Sequence, residues 1–61
     1  MTDLNAFLEP GMFVRHPNEP DWGLGQVQSV IMPRITVNFR EVGKVVINGS
    51  QVALVPVFDE E

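Results

Sequence analysis

The 61-residue sequence contains no cysteine and no tyrosine, and it has a single histidine, His16. Without cysteine, neither a disulfide nor a thiolate zinc site can form. One histidine cannot build a metal site alone, so we expect neither a metal nor a cofactor. A chain this short buries only about 60% of its unfolded surface. The sequence therefore predicts one small domain that relies on good packing or self-association for its stability.

Basic residues are also few, with four Lys and Arg against eight Asp and Glu, for a net charge of −4. The four cations are scattered along the chain at Arg15, Arg34, Arg40 and Lys44. Proteins that bind nucleic acid usually carry a basic patch, because phosphate neutralisation dominates their affinity. Direct binding to DNA or RNA is therefore disfavoured, unless folding gathers these cations on one face.

Long apolar runs are missing as well, so no segment is predicted to span a membrane. The start, Met1-Thr2-Asp3, lacks the basic residues and the apolar run of a signal peptide. A hydrophobic content of 44% favours a folded chain over a disordered one. We expect a small folded protein of the bacterial cytoplasm.

Proline and glycine interrupt regular secondary structure, so Pro10-Gly11 predicts the start of the main domain, which we place at residues 10–58. We expect residues 1–9 to form a head that is flexible or a short helix, with an apolar stripe of Leu4, Phe7 and Leu8. We expect residues 59–61 to be a solvated acidic tail.

The periodicity between these ends is that of short strands, which predicts an all-β domain built as a small five-stranded barrel. The clearest alternation has Ile35, Val37 and Phe39 facing inward, and we expect both Phe13 and Phe39 in the core. An odd spacing predicts a bulge near Gln28-Ser29. The predicted strands are Met12–His16, Gly23–Ile31, Ile35–Phe39, Lys44–Ile47 and Leu54–Val57.

Glycines mark the turns and close contacts of this fold, at Gly11, Gly23, Gly25 and Gly43. The link between the second and third strands has no such residue and contains Pro33. We expect an ordinary type I turn there. The alternative is a strained hinge that straightens and lets two chains exchange strands to form a homodimer.

The sequence gives little support for a catalytic role, so we do not expect this protein to be an enzyme. Acyl transfer requires a nucleophile and a base that converge on one pocket, and nothing brings Ser29 or Ser50 to His16. For His16 we favour a structural hydrogen bond to the following loop over a pH-sensitive surface contact. Trp22 either caps the core or serves as an interface anchor.

The series His16, then Trp22-Gly23-x-Gly25-x-Val27, then Ile35 to Phe39, resembles the Tudor-like, SH3-like domain at the C-terminus of UvrD/PcrA-type helicases. It is similar, more loosely, to the RNA-polymerase-interacting modules of CarD-type regulators and of the transcription-repair coupling factor. Residues 10–57 more closely resemble small stand-alone bacterial proteins classed as a domain of unknown function. The resemblance implies an SH3-like barrel that binds a protein partner, RNA polymerase in the helicase and regulator cases.

Together these arguments predict a non-catalytic protein-interaction module linked to transcription or repair. We expect Trp22, Arg40 and Lys44 to form its contact surface. The apolar strand edge from Val45 to Ile47 is suited either to adding a partner strand or to pairing with itself. The alternative function is a small barrel that binds single-stranded nucleic acid, with Trp22 stacking on bases.

Overall fold

The structure is a computed structural model that describes residues 8–58. The predicted helical stripe at Leu4 and Phe7 and the acidic tail at residues 59–61 lie outside the described range. Within it are a 3-10 helix, η1, at Pro20–Trp22 and five β-strands. The strands are β1 at Phe13–Arg15, β2 at Gly25–Ile31, β3 at Arg34–Phe39, β4 at Gly43–Asn48 and β5 at Val55–Val57.

All five strands pair antiparallel in one sheet, in the order β4-β3-β2-β1-β5. The all-β prediction is therefore confirmed. Pro56 lies in β5, an outer strand of this order, where a missing N–H is tolerated. Closure of the sheet into a barrel and exchange of strands between two chains stay predictions.

The inner face of β3 follows the predicted alternation. Ile35 and Val37 are fully buried and Phe39 is 1% exposed, because a strand that covers a core on one face places every second side chain there. Each such side chain contributes roughly 1.5–3 kcal/mol when it leaves water. The buried core cluster consists of Leu8, Val14, Val27, Ile35, Val37, Phe39, Ile47 and Leu54.

The predicted bulge in β2 is confirmed, as the register against β3 shifts between Val27 and Ser29. Val27 pairs with Val37 before the bulge, and Val30 pairs with Ile35 after it. The extra residue lets two apolar side chains three positions apart both face the core.

The prediction that Phe13 belongs to the core is wrong. Val14 is fully buried, whereas Phe13 is half-buried and lies with exposed Arg15 on the opposite face of β1. Two adjacent apolar residues in a three-residue strand cannot both face inward, since successive side chains alternate. Leu8, which the sequence placed in the head, is 7% exposed and joins the core.

The link between β2 and β3 is a two-residue hairpin, because Ile31 pairs directly with Arg34. The Met32–Pro33 peptide bond is cis, which is the type VI arrangement, so the expected type I turn is wrong. Across residues 8–58 no helix is long and apolar enough to cross a membrane.

Candidate functional site

The inner face of the sheet ends in three rings that pack against one another. The Trp22 ring centroid lies 4.9 Å from that of His16 and 5.2 Å from that of Phe39, both edge-on. Edge-to-face contacts of this kind stabilise beyond the area they bury, by about 0.5–1.5 kcal/mol for aromatic pairs. The three rings therefore close one end of the core.

His16 is 9% exposed, and its Nδ1 accepts a hydrogen bond of 3.1 Å from the Asn18 backbone N–H. The His16 ring thus organises the loop that follows β1, while it packs against the Trp22 ring in a T-shaped contact. These contacts are those of a structural histidine. Ser29 lies in β2 beside the bulge and Ser50 lies in the turn after β4, so the topology places neither in the loop that His16 organises.

Trp22 is half-buried and packs against the core cluster. Its backbone oxygen accepts a hydrogen bond of 3.1 Å from the Glu41 N–H, and the Leu24 oxygen accepts one of 2.9 Å from the Arg40 N–H. These two bonds tie the β3–β4 connection to the segment that leads into β2. The Trp22 ring and its backbone thus both contribute to packing at this end of the domain.

The two glycines after Trp22 serve different purposes. Gly23 has φ of 78°, a conformation that side-chain-bearing residues rarely adopt. Gly25 is buried, and a Cβ there would lie 2.6 Å from Val37 Cγ1 and 2.7 Å from Phe39 Cδ1. The first glycine permits the turn, and the second permits the close approach of β3.

The outer face of the sheet carries an open groove of about 320 Å³ that crosses the strands. One wall is a row of cross-strand neighbours, in which Phe13 pairs with Gln26 and Gln26 pairs with Asn38. The other wall contains Leu24 and Arg40, with the backbone of β2 and β3 between the walls. We call this the cross-strand groove; its lining residues are Phe13, Leu24, Gly25, Gln26, Asn38, Phe39, Arg40 and Gly43.

Charge is segregated between the strands and the loops. The charged residues within the five strands are Arg15, Arg34 and Lys44, all cations and all exposed on the outer face. The acidic residues of the described range lie outside the strands, at Glu9, Glu19, Asp21 and Glu41. A chain with a net charge of −4 thus presents a cationic sheet face.

The structure brings two of the three predicted contact residues to this groove. Arg40 lines it, and Lys44 borders it as the cross-strand neighbour of Asn38. Trp22 does not line the groove, since its ring packs against Phe39 and His16. The other predicted motif residues, Gly11 and Gly43, have φ of 97° and 83° and act as turn glycines.

Sequence reasoning missed Gln26, Asn38 and Leu24 as components of the site. Gln26 and Asn38 lie in predicted strands, and the alternation of side chains assigns both of them to the outer face. The sequence does not predict that they are cross-strand neighbours, because their pairing depends on where the bulge shifts the register of β2 against β3.

The groove contains amide side chains, two cations and an apolar side chain in each wall. Residues 8–58 contain no group of three or more His, Asp or Glu that could hold a metal ion. The arrangement is suited to binding an extended ligand that carries both apolar and anionic groups.

A family model described as "Protein of unknown function (DUF3553)" matches residues 8–57. The match covers well over half of the 61 residues, so the chain belongs to this family. The predicted resemblance to a domain of unknown function is thereby confirmed. No curated protein and no solved structure matches the chain.

Proposed function

We propose that this member of the family is a non-catalytic protein-interaction module of the cytoplasm, which docks on its partner through the cross-strand groove. The observation that carries the proposal is the groove itself, with apolar side chains at Phe13 and Leu24 in its walls and with Arg40 and Lys44 at its charged end. Interfaces combine a desolvated apolar centre with a polar rim in this way.

RNA polymerase is the first partner to test. The sequence resembles the Tudor-like, SH3-like helicase domain and the CarD-type modules, for which polymerase is the implied partner. The strand order, in which β5 pairs with β1 and the remaining strands form a meander, is compatible with such a module. Arg40 and Lys44 supply the basic groups on the β3–β4 hairpin.

The test is binding of purified core RNA polymerase by immobilised protein at low salt. The matched variants are R40E, K44E and R34E, all charge reversals at exposed positions of β3, β4 or their connection. We expect the wild type and R34E to retain polymerase, and R40E and K44E to lose most of it. Failure of the wild type to bind would overturn the polymerase proposal, and equal loss in all three variants would overturn the groove as its surface.

Single-stranded nucleic acid is a second candidate ligand, favoured by the cations on the outer face. Against it, the Trp22 ring, which is expected to stack on bases, packs on His16 and Phe39 and does not line the groove with Arg40. Such binding requires a steep loss of affinity with salt. A fluorescently labelled oligothymidylate that binds at 50 mM salt and dissociates at 200 mM salt, in an R40E-sensitive manner, would favour this function instead.

Self-association through β4 is a further part of the proposal. Among the described strands β4 pairs only with β3, so its other edge is available for strand addition. An antiparallel register that pairs Val46 with Val46 of a second copy places Lys44 opposite Asn48 and avoids like-charge contact. Sedimentation equilibrium tests this, since V46K is expected to shift a dimer to monomer, and a wild type that is monomeric at high concentration would contradict it.

A further inference from the structure

We infer that the cross-strand groove takes an acidic, extended protein segment that inserts one apolar side chain beside Phe13 and Leu24 and places carboxylates near Arg40 and Lys44. This inference rests on the proposed function and adds the chemistry of the partner. Each part of the groove corresponds to one part of such a segment.

The apolar part of the groove lies at its β1 and β2 end. Leu24 is buried although it stands outside the core cluster, and Phe13 is half-buried on the outer face. These two side chains line the same groove. An aliphatic or aromatic side chain of a partner is stabilised there by about 25 cal/mol for each Å² of apolar surface removed from water.

The middle of the groove is polar but uncharged. Gln26 and Asn38 are directly opposed across β2 and β3, and both are exposed. The Gln26 Nε2 donates to the Gly11 carbonyl at 3.3 Å, which leaves its oxygen as an acceptor. Amide side chains present donors and acceptors together, as the peptide groups of an extended chain require.

The charged part lies at the β3 and β4 end, where Lys44 neighbours Asn38 and Arg40 lines the opposite wall. From β1 to β4 the groove crosses three strand spacings of about 4.8 Å, or about 14 Å, which is the length of about four extended residues. The apolar residue of the partner and its carboxylates are therefore two to three positions apart.

A polyanion such as nucleic acid fits this groove less well. Phosphate only accepts hydrogen bonds, so it pairs with the N–H groups of Gln26 and Asn38 but not with their oxygens. Glu41 directly follows Arg40, and the chain as a whole carries −4, which opposes a long run of phosphates more than a segment with two carboxylates.

The experiment is a titration of ¹⁵N-labelled full-length protein, followed by amide shifts, with the capped hexapeptide GLGDEG. Two matched peptides serve as controls: GLGNQG lacks the carboxylates and GSGDEG lacks the apolar side chain. Hexathymidylate is the fourth ligand. Concentrations reach about 10 mM, enough to occupy about nine-tenths of a site with a Kd near 1 mM.

We expect GLGDEG to shift the amides of residues 24–26, 38–40 and 43–44, and each control peptide to bind at least about fivefold more weakly. K44E is expected to weaken GLGDEG binding about tenfold, because it replaces an attraction by a repulsion, whereas R34E leaves it unchanged. The absence of these shifts, equal binding of GLGNQG, or tighter binding of hexathymidylate in the groove would overturn the inference.

The outcomes separate this inference from the proposed function. If polymerase binding depends on Arg40 and Lys44 while GLGDEG does not bind, the docking surface stands and the partner chemistry is wrong. If GLGDEG binds as expected while polymerase is not retained, the inference stands and the identity of the partner is wrong.

Discussion

Phe39 lies directly across the β2–β3 ladder from Gly25, and its ring fills the space that a side chain at position 25 would need. The same ring contacts Trp22 edge-on at 5.2 Å. One glycine thus permits the contact that closes this end of the core. The backbone of these two residues also lies between the walls of the cross-strand groove on the other face.

Gly25→Ala is expected to destabilise the domain by about 3 kcal/mol, at the upper end of the range for overpacking a well-packed core. The added Cβ would lie 2.6 Å from Val37 Cγ1 and 2.8 Å from Phe39 Cε1, so β3 must move. Urea denaturation measures the change. The double variant G25A/F39L tests the cause, since its destabilisation should be smaller than the sum of the single changes.

At Gly43 the requirement for glycine comes from the backbone conformation and not from a lack of space. Nothing lies within 4 Å of a Cβ built at this position, whereas the φ of Gly43 is 83°. Gly43→Ala is expected to cost about 1–2 kcal/mol from the backbone conformation alone. Gly43→Asn should cost less, since asparagine tolerates positive φ. Thermal denaturation of both variants measures these losses of stability. An alanine variant as stable as the wild type would show that this turn accepts a side chain without backbone strain.

Trp22 is expected to act through stability rather than through partner contact. Trp22→Ala removes the ring that packs on both His16 and Phe39 and should cost about 2 kcal/mol, less than for a fully buried tryptophan. Trp22→Phe retains an edge-on contact and should bind the partner as the wild type does. A folded Trp22→Phe variant that loses binding while K44E retains it would assign the interface to the tryptophan.

Leu8 extends the core to the N-terminal side of Pro10. It is 7% exposed, so Leu8→Ala is expected to cost about 3 kcal/mol through lost burial and the cavity left behind. The neighbouring exposed residue provides the control, since Glu9→Ala should change stability by less than about 0.5 kcal/mol. Equal effects of the two substitutions in urea denaturation would show that Leu8 does not pack.

Much of the fold is predictable from local pattern. The alternation of Ile35, Val37 and Phe39 identifies β3 and its buried face, and the spacing of Val27 and Val30 identifies the bulge. Both succeed because a strand that is buried on one face has a strict period of two. Phe13 is misassigned because a three-residue strand is too short for this period to decide between it and Val14.

The candidate site is less predictable because it is assembled across strands. Gln26 and Asn38 are far apart in sequence and become neighbours only through the β2–β3 register. The cationic face, by contrast, has a local signal. Arg15, Arg34 and Lys44 each stand next to a residue of the inner face, so alternation assigns all three to the outside. The positions of the charged residues, combined with the alternation of side chains along each strand, therefore identify this face from the sequence.

The most direct test of the docking surface is site-specific photocrosslinking to purified core RNA polymerase. A benzoylphenylalanine replaces either Asn38, which lines the cross-strand groove, or Val46, which is 60% exposed on the same face of β4 outside it. We expect an adduct with a polymerase subunit from position 38 and little from position 46. An adduct from position 46 alone, with none from position 38, would contradict docking through the groove.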